Sequence, residues 1–155
     1  MLYYEGQEVG SALANRILDS YHEGFPVKHW ALFAEKVFRN PAEWAKEEIY
    51  LWLEASDLPI LPDGNIMAYK WVTNEYKDIR TGKFDNSIGA TPSMPREEVD
   101  PVRDRTCSRG LHFCSKGYLG SYGGGGNRVV ILSVNPEDIT SIPSDYNNSK
   151  GRACK

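Results

Sequence analysis

The chain has 155 residues and a mass of 17.5 kDa, which is the size of one ordinary domain. Hydrophobic residues make up 41% and charged residues 25%, a globular composition that excludes global disorder. The 18 Lys and Arg residues against 21 Asp and Glu residues give a net charge of −3. This charge argues against a general nucleic-acid coat or a polybasic membrane binder, while a local basic pocket for one small anion stays possible.

The cysteine content and the N-terminal sequence predict a protein of a reducing cytoplasm. Three cysteines are an odd number and fit a secreted disulfide framework poorly. The sequence opens without a basic and apolar leader, and its apolar stretches are only a few residues long. A membrane span needs about 20 apolar residues, so we expect neither secretion nor membrane spanning.

The first 57 residues are predicted to be helical after a small hairpin at residues 2–9. Ser11 is expected to cap a first helix, whose apolar residues recur at helical spacing. A second helix is predicted over residues 28–39. The sequence Asn-Pro-Ala-Glu that begins at Asn40 is typical of a helix start, and it predicts a third helix ending near residue 55.

From residue 58 onward, short strands separated by turn residues predict a sheet. Asp63-Gly64 favours a hairpin that leads into a strand at residues 65–73. In that strand Lys70 shares one face with apolar residues. Further elements are expected in this order: a hairpin at 76–85, a helical turn after Pro95, a strand at 110–114, a short helix after Ser115, and strands at 128–134 and 139–142.

These elements predict an α+β protein, in which an N-terminal three-helix segment packs on a mixed, mostly antiparallel β-sheet with a short inserted helix. Residues 1–57 form the helical segment and residues 58–155 the sheet domain in this prediction. The two parts are expected to form one compact unit.

Several ordered sequence motifs carry a family resemblance. They are AYKWV at 68–72, RTCSRGLHFCS at 105–115 and PSDYNNSKGR at 143–152, with NRILDS at 15–20 in the helical half. Over nearly the whole chain they resemble the C-terminal domain of the rIIB rapid-lysis protein family of tailed bacteriophages. Long members of that family carry a further N-terminal region similar to a helix-turn-helix and usually continue beyond the equivalent of Lys155. We therefore expect no DNA-binding region here.

The resemblance implies an early phage accessory viral protein that acts in the host bacterial cytoplasm. It implies a role in lysis timing, including lysis inhibition, and in growth despite host exclusion systems, which is an anti-defence host–virus interaction. We expect it to act by binding a nucleotide-derived signal molecule or a host defence protein, and homo-oligomerisation is left open. The resemblance implies no established reaction and no cofactor.

A weaker local similarity is to the ADP-ribosyltransferase superfamily. The strand Gly110-Leu111-His112-Phe113, followed by Ser115, Tyr118 and Tyr122, is similar to part of the NAD pocket of those enzymes. Residues 128–135 contain no acid to serve as their catalytic glutamate, so a charge-stabilising group is missing. An NAD-consuming enzyme and a structural protein-interaction module are the two alternatives, and no catalytic residue is assigned.

The histidine and cysteines of the second half allow several interpretations. Cys107, His112, Cys114 and Cys154 contain the ligand types of a zinc site, but metal knuckles favour two residues between cysteines, so no metal is predicted. Buried cysteines are the ordinary alternative. His112 either contacts a ligand phosphate or ribose, acts as a general acid–base, or bonds to backbone.

Polar and cationic residues of the second half are predicted to converge in one ligand pocket. Lys70 either reaches a carboxylate such as Asp85 or points into this pocket. In the loop 143–151, cations would bind phosphate, Asp and Asn would bind ribose, and Tyr would stack on a base; a self-satisfied turn is the alternative. The predicted ligand-binding residues are Lys70, Arg105, Arg109, His112, Ser115, Asp145, Tyr146, Asn147, Lys150 and Arg152.

Overall fold

The helices come first in the chain and the main sheet follows. The computed structural model describes residues 1–56, 58–102, 108–121, 127–142 and 150–155. The helices are α1 (Ser11–His22), α2 (Lys28–Arg39) and α3 (Ala45–Ala55). The strands are β1 (Tyr3–Tyr4), β2 (Gln7–Glu8), β3 (Ile66–Val72), β4 (Leu111–Cys114), β5 (Arg128–Val134), β6 (Ile139–Ser141) and β7 (Lys150–Ala153).

The bounds of α2 confirm the helix predicted at residues 28–39, whereas the predicted cap of α1 is wrong. Ser11 is the first helical residue, and Gly10 occupies the cap position without a side-chain hydrogen bond. A Cβ atom on Gly10 would lie 2.9 Å from the carbonyl oxygen of Lys46. The close approach to α3 therefore excludes a serine-type cap at this position.

Asn40 does not cap α3, which begins at Ala45, and instead ties the helical half to the end of the sheet. Its Nδ2 donates to the carbonyl oxygens of Pro136 and Ile139, at 2.9 and 2.7 Å. Its Oδ1 accepts from the backbone N–H of Ala42 and from Nη2 of Arg96, at 3.0 and 2.8 Å. All polar atoms of this buried amide side chain are thus used.

The main sheet has the strand order β5-β3-β4-β7-β6. The sequence predicted a mixed sheet, but every pairing among the described strands is antiparallel. β3 pairs with β5 over seven residues, from Ile66 opposite Val134 to Val72 opposite Arg128. With β4 it shares only the pair Tyr69 and Cys114, so the centre of the sheet is joined at one point.

One face of the sheet packs against the helices. Alternate residues of β3 are buried, and the ring of Phe113 on β4 meets Trp52 of α3 edge-on at 5.4 Å between centroids. Phe113 also lies over Gly151, where a Cβ atom would approach its ring to 2.4 Å. Buried side chains from α1, α2, α3 and the sheet form one hydrophobic cluster. The domain boundary predicted after residue 57 stays a prediction, and residue 57 lies outside the described part.

The smaller predicted elements are present in modified form. The hairpin expected at 76–85 is reduced to isolated bridges, such as that between Lys77 and Asp85. The two short helices are 3-10 turns at Arg96–Glu98 and Lys116–Ser121. The strand predicted at 128–134 is observed as predicted. Over the described ranges, no helix combines the length and the apolar character that crossing a membrane requires.

Replacing Asn40 with Ala is expected to destabilise the fold. The change removes the side-chain donor of the Pro136 carbonyl group and leaves the Ile139 carbonyl group only its bond from Arg96, and an unsatisfied buried polar group costs about 1–3 kcal/mol. The free energy of unfolding, measured by urea titration, should therefore fall by about 2–4 kcal/mol. Asn74→Ala, in an exposed turn, is the matched control. Equal stability of the two variants would contradict the bridging role of Asn40.

Candidate functional site

A cavity of about 410 Å³ lies beside the single pair that joins β3 to β4. Lys70 and Trp71 of β3 line one side, and His112 of β4 lines the other. The turn at residues 78–84 closes a third side. The remaining lining residues are Tyr69, Met94, Glu98, Arg109, Gly110, Phe113 and Cys114.

Asp78 stabilises the turn that forms one side of the cavity. Its carboxylate accepts hydrogen bonds from the backbone N–H groups of Thr81, Lys83 and Phe84 at 2.8 to 3.0 Å, and from the Thr81 hydroxyl at 2.7 Å. Burial alone would raise the pKa of Asp78, but these hydrogen bonds outweigh burial and hold the pKa below its usual value. The Asp78 carboxylate is therefore charged, and donors within the turn satisfy its hydrogen-bonding capacity.

Lys70 is the most unusual residue of the cavity. Its side chain is only 9% exposed and occupies a position between the fully buried Ala68 and Val72. It makes no hydrogen bond or ion pair with any other residue in the described ranges. Burial lowers the pKa of Lys70, and the charge of Asp78 opposes that shift. The nearby carboxylate is thus Asp78 rather than the predicted Asp85.

The ring of His112 is held in one tautomer. Its Nε2 lies 2.7 Å from the carbonyl oxygen of Ser108, and because a carbonyl only accepts, Nε2 carries the proton. Burial lowers the pKa of His112 to about 4, and the charges of Lys70 and Arg80 lower it further against the effect of the hydrogen bond. At neutral pH the ring is therefore neutral, with Nδ1 as its acceptor, and it is not a general acid.

The mouth of the cavity is basic. Arg80, Lys83 and Arg109 are exposed at its rim, together with Glu98. Arg80 donates through Nη1 to the carbonyl oxygen of Ser108, which also receives the His112 hydrogen bond. Among the described lining residues, the basic side chains Lys70, Arg80, Lys83 and Arg109 face two acidic ones, and Asp78 is one of those. The cavity is thus locally cationic in an acidic chain.

The structure brings together three of the predicted site residues, Lys70, Arg109 and His112. Ser115 is buried away from the cavity lining. Arg152 is fully buried, and its Nη2 donates to the Val102 carbonyl oxygen at 2.6 Å and to Ser141 Oγ at 2.8 Å. The residues that lie outside the described part are Arg105, Asp145, Tyr146 and Asn147, and Lys150 is described only as a backbone position of β7 paired with Cys114.

Sequence reasoning missed Asp78, Arg80 and the aromatic walls. The signal that marks Asp78 is its place three residues before Thr81-Gly82, which is typical of a side chain that caps a turn. Trp71 lines the cavity, and its Nε1 donates to the Leu119 carbonyl oxygen at 3.1 Å. This bond fixes the indole beside the cavity.

The cysteines do not assemble with other ligand residues in the described part. Cys114 is buried, and its thiol donates to the carbonyl oxygen of Tyr69 at 3.3 Å. The thiol of Cys154 lies 3.9 Å from an oxygen of Asp138, whereas Cys107 lies outside the described ranges. Within those ranges, no group of three or more His, Cys, Asp or Glu side chains is placed to hold a metal ion.

Fold and site together define an α+β protein with a basic cavity at a split in an antiparallel sheet. A sequence model of the family described as "Bacteriophage T4 protein rIIB" matches residues 1–155, and the chain belongs to this family of bacteriophage proteins. "Protein rIIB" of Enterobacteria phage T4 is 41% identical over 154 residues, which cover 99% of this chain and 49% of that protein. The chain spans about half the length of this curated relative. No solved structure matches the chain.

These matches confirm the predicted resemblance to the rIIB family and support the assignment as a bacteriophage accessory protein. The family match extends over the whole chain, and it gives no support to a correspondence with the C-terminal domain alone. The similarity to ADP-ribosyltransferases likewise gains no support from them. Of the residues that suggested it, Tyr122 and the side chain of Tyr118 lie outside the described part.

The neutral state of His112 predicts a specific loss of stability in acid. The pKa of His112 is about 4 in the folded chain against 6.5 for an unperturbed histidine, so the unfolded state takes up the proton first. This contribution is fully present above pH 6.5 and is lost as the pH falls toward 4, a loss on the order of 3 kcal/mol.

The measurement is the free energy of unfolding from urea titrations between pH 7 and pH 4. Carboxyl groups titrate in the same range, so the quantity to compare is the difference between the wild type and His112→Gln, which lacks the titrating ring. That difference should shrink steadily as the pH falls below 6.5. A difference that does not change with pH would show that His112 titrates alike in both states.

Proposed function

We propose that the chain is a phage accessory protein that binds a small nucleotide-derived anion in the cavity between β3 and β4. Through this binding it acts against host defence or on the timing of lysis. The observation that carries the proposal is the excess of basic over acidic side chains around the cavity, in a chain whose net charge is −3. Membership of the rIIB family supports the part of the proposal that assigns the chain to a bacteriophage.

The walls of the cavity suit the two parts of a nucleotide. Trp71, Phe84 and Tyr69 are aromatic surfaces on which a planar base can stack. Arg80 and Arg109 at the mouth offer planar guanidinium groups, which bind phosphate oxygens through paired hydrogen bonds. A volume of about 410 Å³ falls within the range of small-molecule sites.

The inner groups favour binding rather than catalysis. Neutral His112 presents Nδ1, which can accept a hydrogen bond from a sugar hydroxyl, while its one ring proton, on Nε2, is donated to the Ser108 carbonyl oxygen. The Asp78 carboxylate is already occupied by four hydrogen bonds within its turn. Because the His112 proton and the Asp78 carboxylate are both used in hydrogen bonds within the protein, we favour a receptor for a signal molecule over an NAD-consuming enzyme. A host protein surface is the rival partner.

Titration calorimetry of the full chain with ADP-ribose, NAD and cyclic nucleotides tests the proposal. We expect one of these compounds to bind, and Arg109→Gln to weaken that binding about tenfold to a hundredfold, because a charge-assisted hydrogen bond contributes about 1.5–3 kcal/mol. Lys28→Gln, which removes an equal charge from the exposed start of α2, should leave the affinity unchanged.

The absence of a calorimetric binding signal with all of these compounds would refute the nucleotide site. Equal weakening by Arg109→Gln and Lys28→Gln would show a general charge effect rather than a local site. Capture of a host protein that Arg109→Gln leaves unaffected would favour the protein-interaction alternative and count against the cavity.

Ligand affinity is expected to depend on pH through Lys70. An anion near its amine favours the charged ammonium form, so binding raises the pKa of Lys70 from its lowered value in the free protein. Affinity should therefore be highest below the pKa of the free protein and fall as the pH rises toward the pKa of the complex. Calorimetry in buffers of different ionisation enthalpy should show proton uptake on binding. Lys70→Met should abolish that uptake, and its persistence would exclude Lys70 as the titrating group.

A further inference from the structure

Lys70 pairs with Val130 within the seven-residue register between β3 and β5, which fixes its backbone position in the strand. The side chain is more than nine-tenths buried and lines the cavity, and no other described residue accepts a hydrogen bond from Nζ. A primary amine is thus presented to the cavity without being held as a hydrogen-bond donor by any described residue.

We propose that Nζ of Lys70 forms a reversible imine with the carbonyl group of an aldehyde or ketone that also carries an anionic group. The anionic group sits at the basic mouth, beside Arg80 and Arg109, while the carbonyl group reaches the floor. The placement of the anion rests on the proposed function above, whereas the imine itself depends only on Lys70 and the cavity.

The covalent step is balanced without any further reactant. The Nζ lone pair attacks the carbonyl carbon, the C=O π bond breaks, and one proton passes from nitrogen to the carbonyl oxygen, directly or through water, to give the neutral carbinolamine. The carbinolamine then loses its hydroxyl group with one proton as water, which leaves a C=N bond. Addition of water reverses the step, so the ligand is captured and released without oxidation or reduction.

Lys70 differs from the other lysines in the two properties that imine formation requires. The amine must be neutral, and burial lowers the pKa of Lys70 toward that state. Apolar walls from Phe113 and Cys114 limit the water that hydrolyses an imine. By contrast, Lys36 donates to Asn65 at 2.6 Å and Lys46 pairs with Glu43 at 3.3 Å, so their amines are held as donors.

The test uses pyridoxal 5′-phosphate, an aldehyde that carries a phosphate, with borohydride to reduce any imine to a stable amine. After brief exposure of the full chain at neutral pH, proteolysis and mass spectrometry locate the label. We expect Lys70 to be labelled several-fold faster than the exposed Lys28 and Lys116. Lys70→Arg, which keeps a cation but cannot form an imine, should lose that fast phase, and Lys28→Arg should retain it.

The wild-type map alone decides the question even if Lys70→Arg fails to fold. Label spread over the exposed lysines with none on Lys70 would overturn the imine proposal. Calorimetric binding of pyridoxal 5′-phosphate without label on Lys70 would overturn the imine but leave the anion site standing. Butanal, an aldehyde without charge, separates the two ideas further. Labelling of Lys70 by butanal as fast as by the phosphate compound supports the imine and contradicts the basic mouth.

Discussion

The site depends on a competition for one edge of β3. One edge pairs with β5 along the whole strand, and the other pairs with Cys114 at Tyr69 and with Asp78 at Val72. Because the turn that follows β3 folds back onto this second edge, β4 cannot continue along it. The sheet parts there, and the gap between β4 and the turn is the cavity. The hydrogen bonds that Asp78 accepts within the turn therefore determine where this wall of the cavity and the cavity mouth lie.

Two buried cations show how differently the fold accommodates charge. Arg152 of β7 is fully buried, and its guanidinium group donates to Ser141 and to the Val102 carbonyl group. Its charge therefore has a structural role. Lys70 is buried to nearly the same extent but faces the cavity, where no described residue satisfies it. A protein selected for stability alone gains nothing from such a lysine, because an apolar residue would fit the row formed by Ala68 and Val72.

The predictions from sequence succeeded where the controlling interaction is local and failed where it is distant. Periodicity gave α2 and the strand at residues 128–134, since burial of one stripe or a β-branched run decides both. Asn40 was predicted to start α3, which is wrong, because its partners Pro136 and Ile139 lie almost 100 positions away and no local pattern indicates them. The sequence predicted that Lys70, Arg109 and His112 would line one pocket. It did not predict the geometry of that pocket, because the geometry depends on the turn that Asp78 stabilises.

The lowered pKa of Lys70 makes the proposed ion binding compatible with the proposed covalent capture in the same cavity. An anion bound at the mouth raises the pKa of Lys70, but by less than an anion placed directly against the amine, which would hold the ammonium form and suppress its reactivity. In the proposed site the exposed guanidinium groups of Arg80 and Arg109 place the anion at the mouth instead, while burial keeps the pKa of the Lys70 amine lowered. Under the proposal, the separation of the cations at the rim from the buried amine lets charge attract a ligand that then binds through a neutral nitrogen.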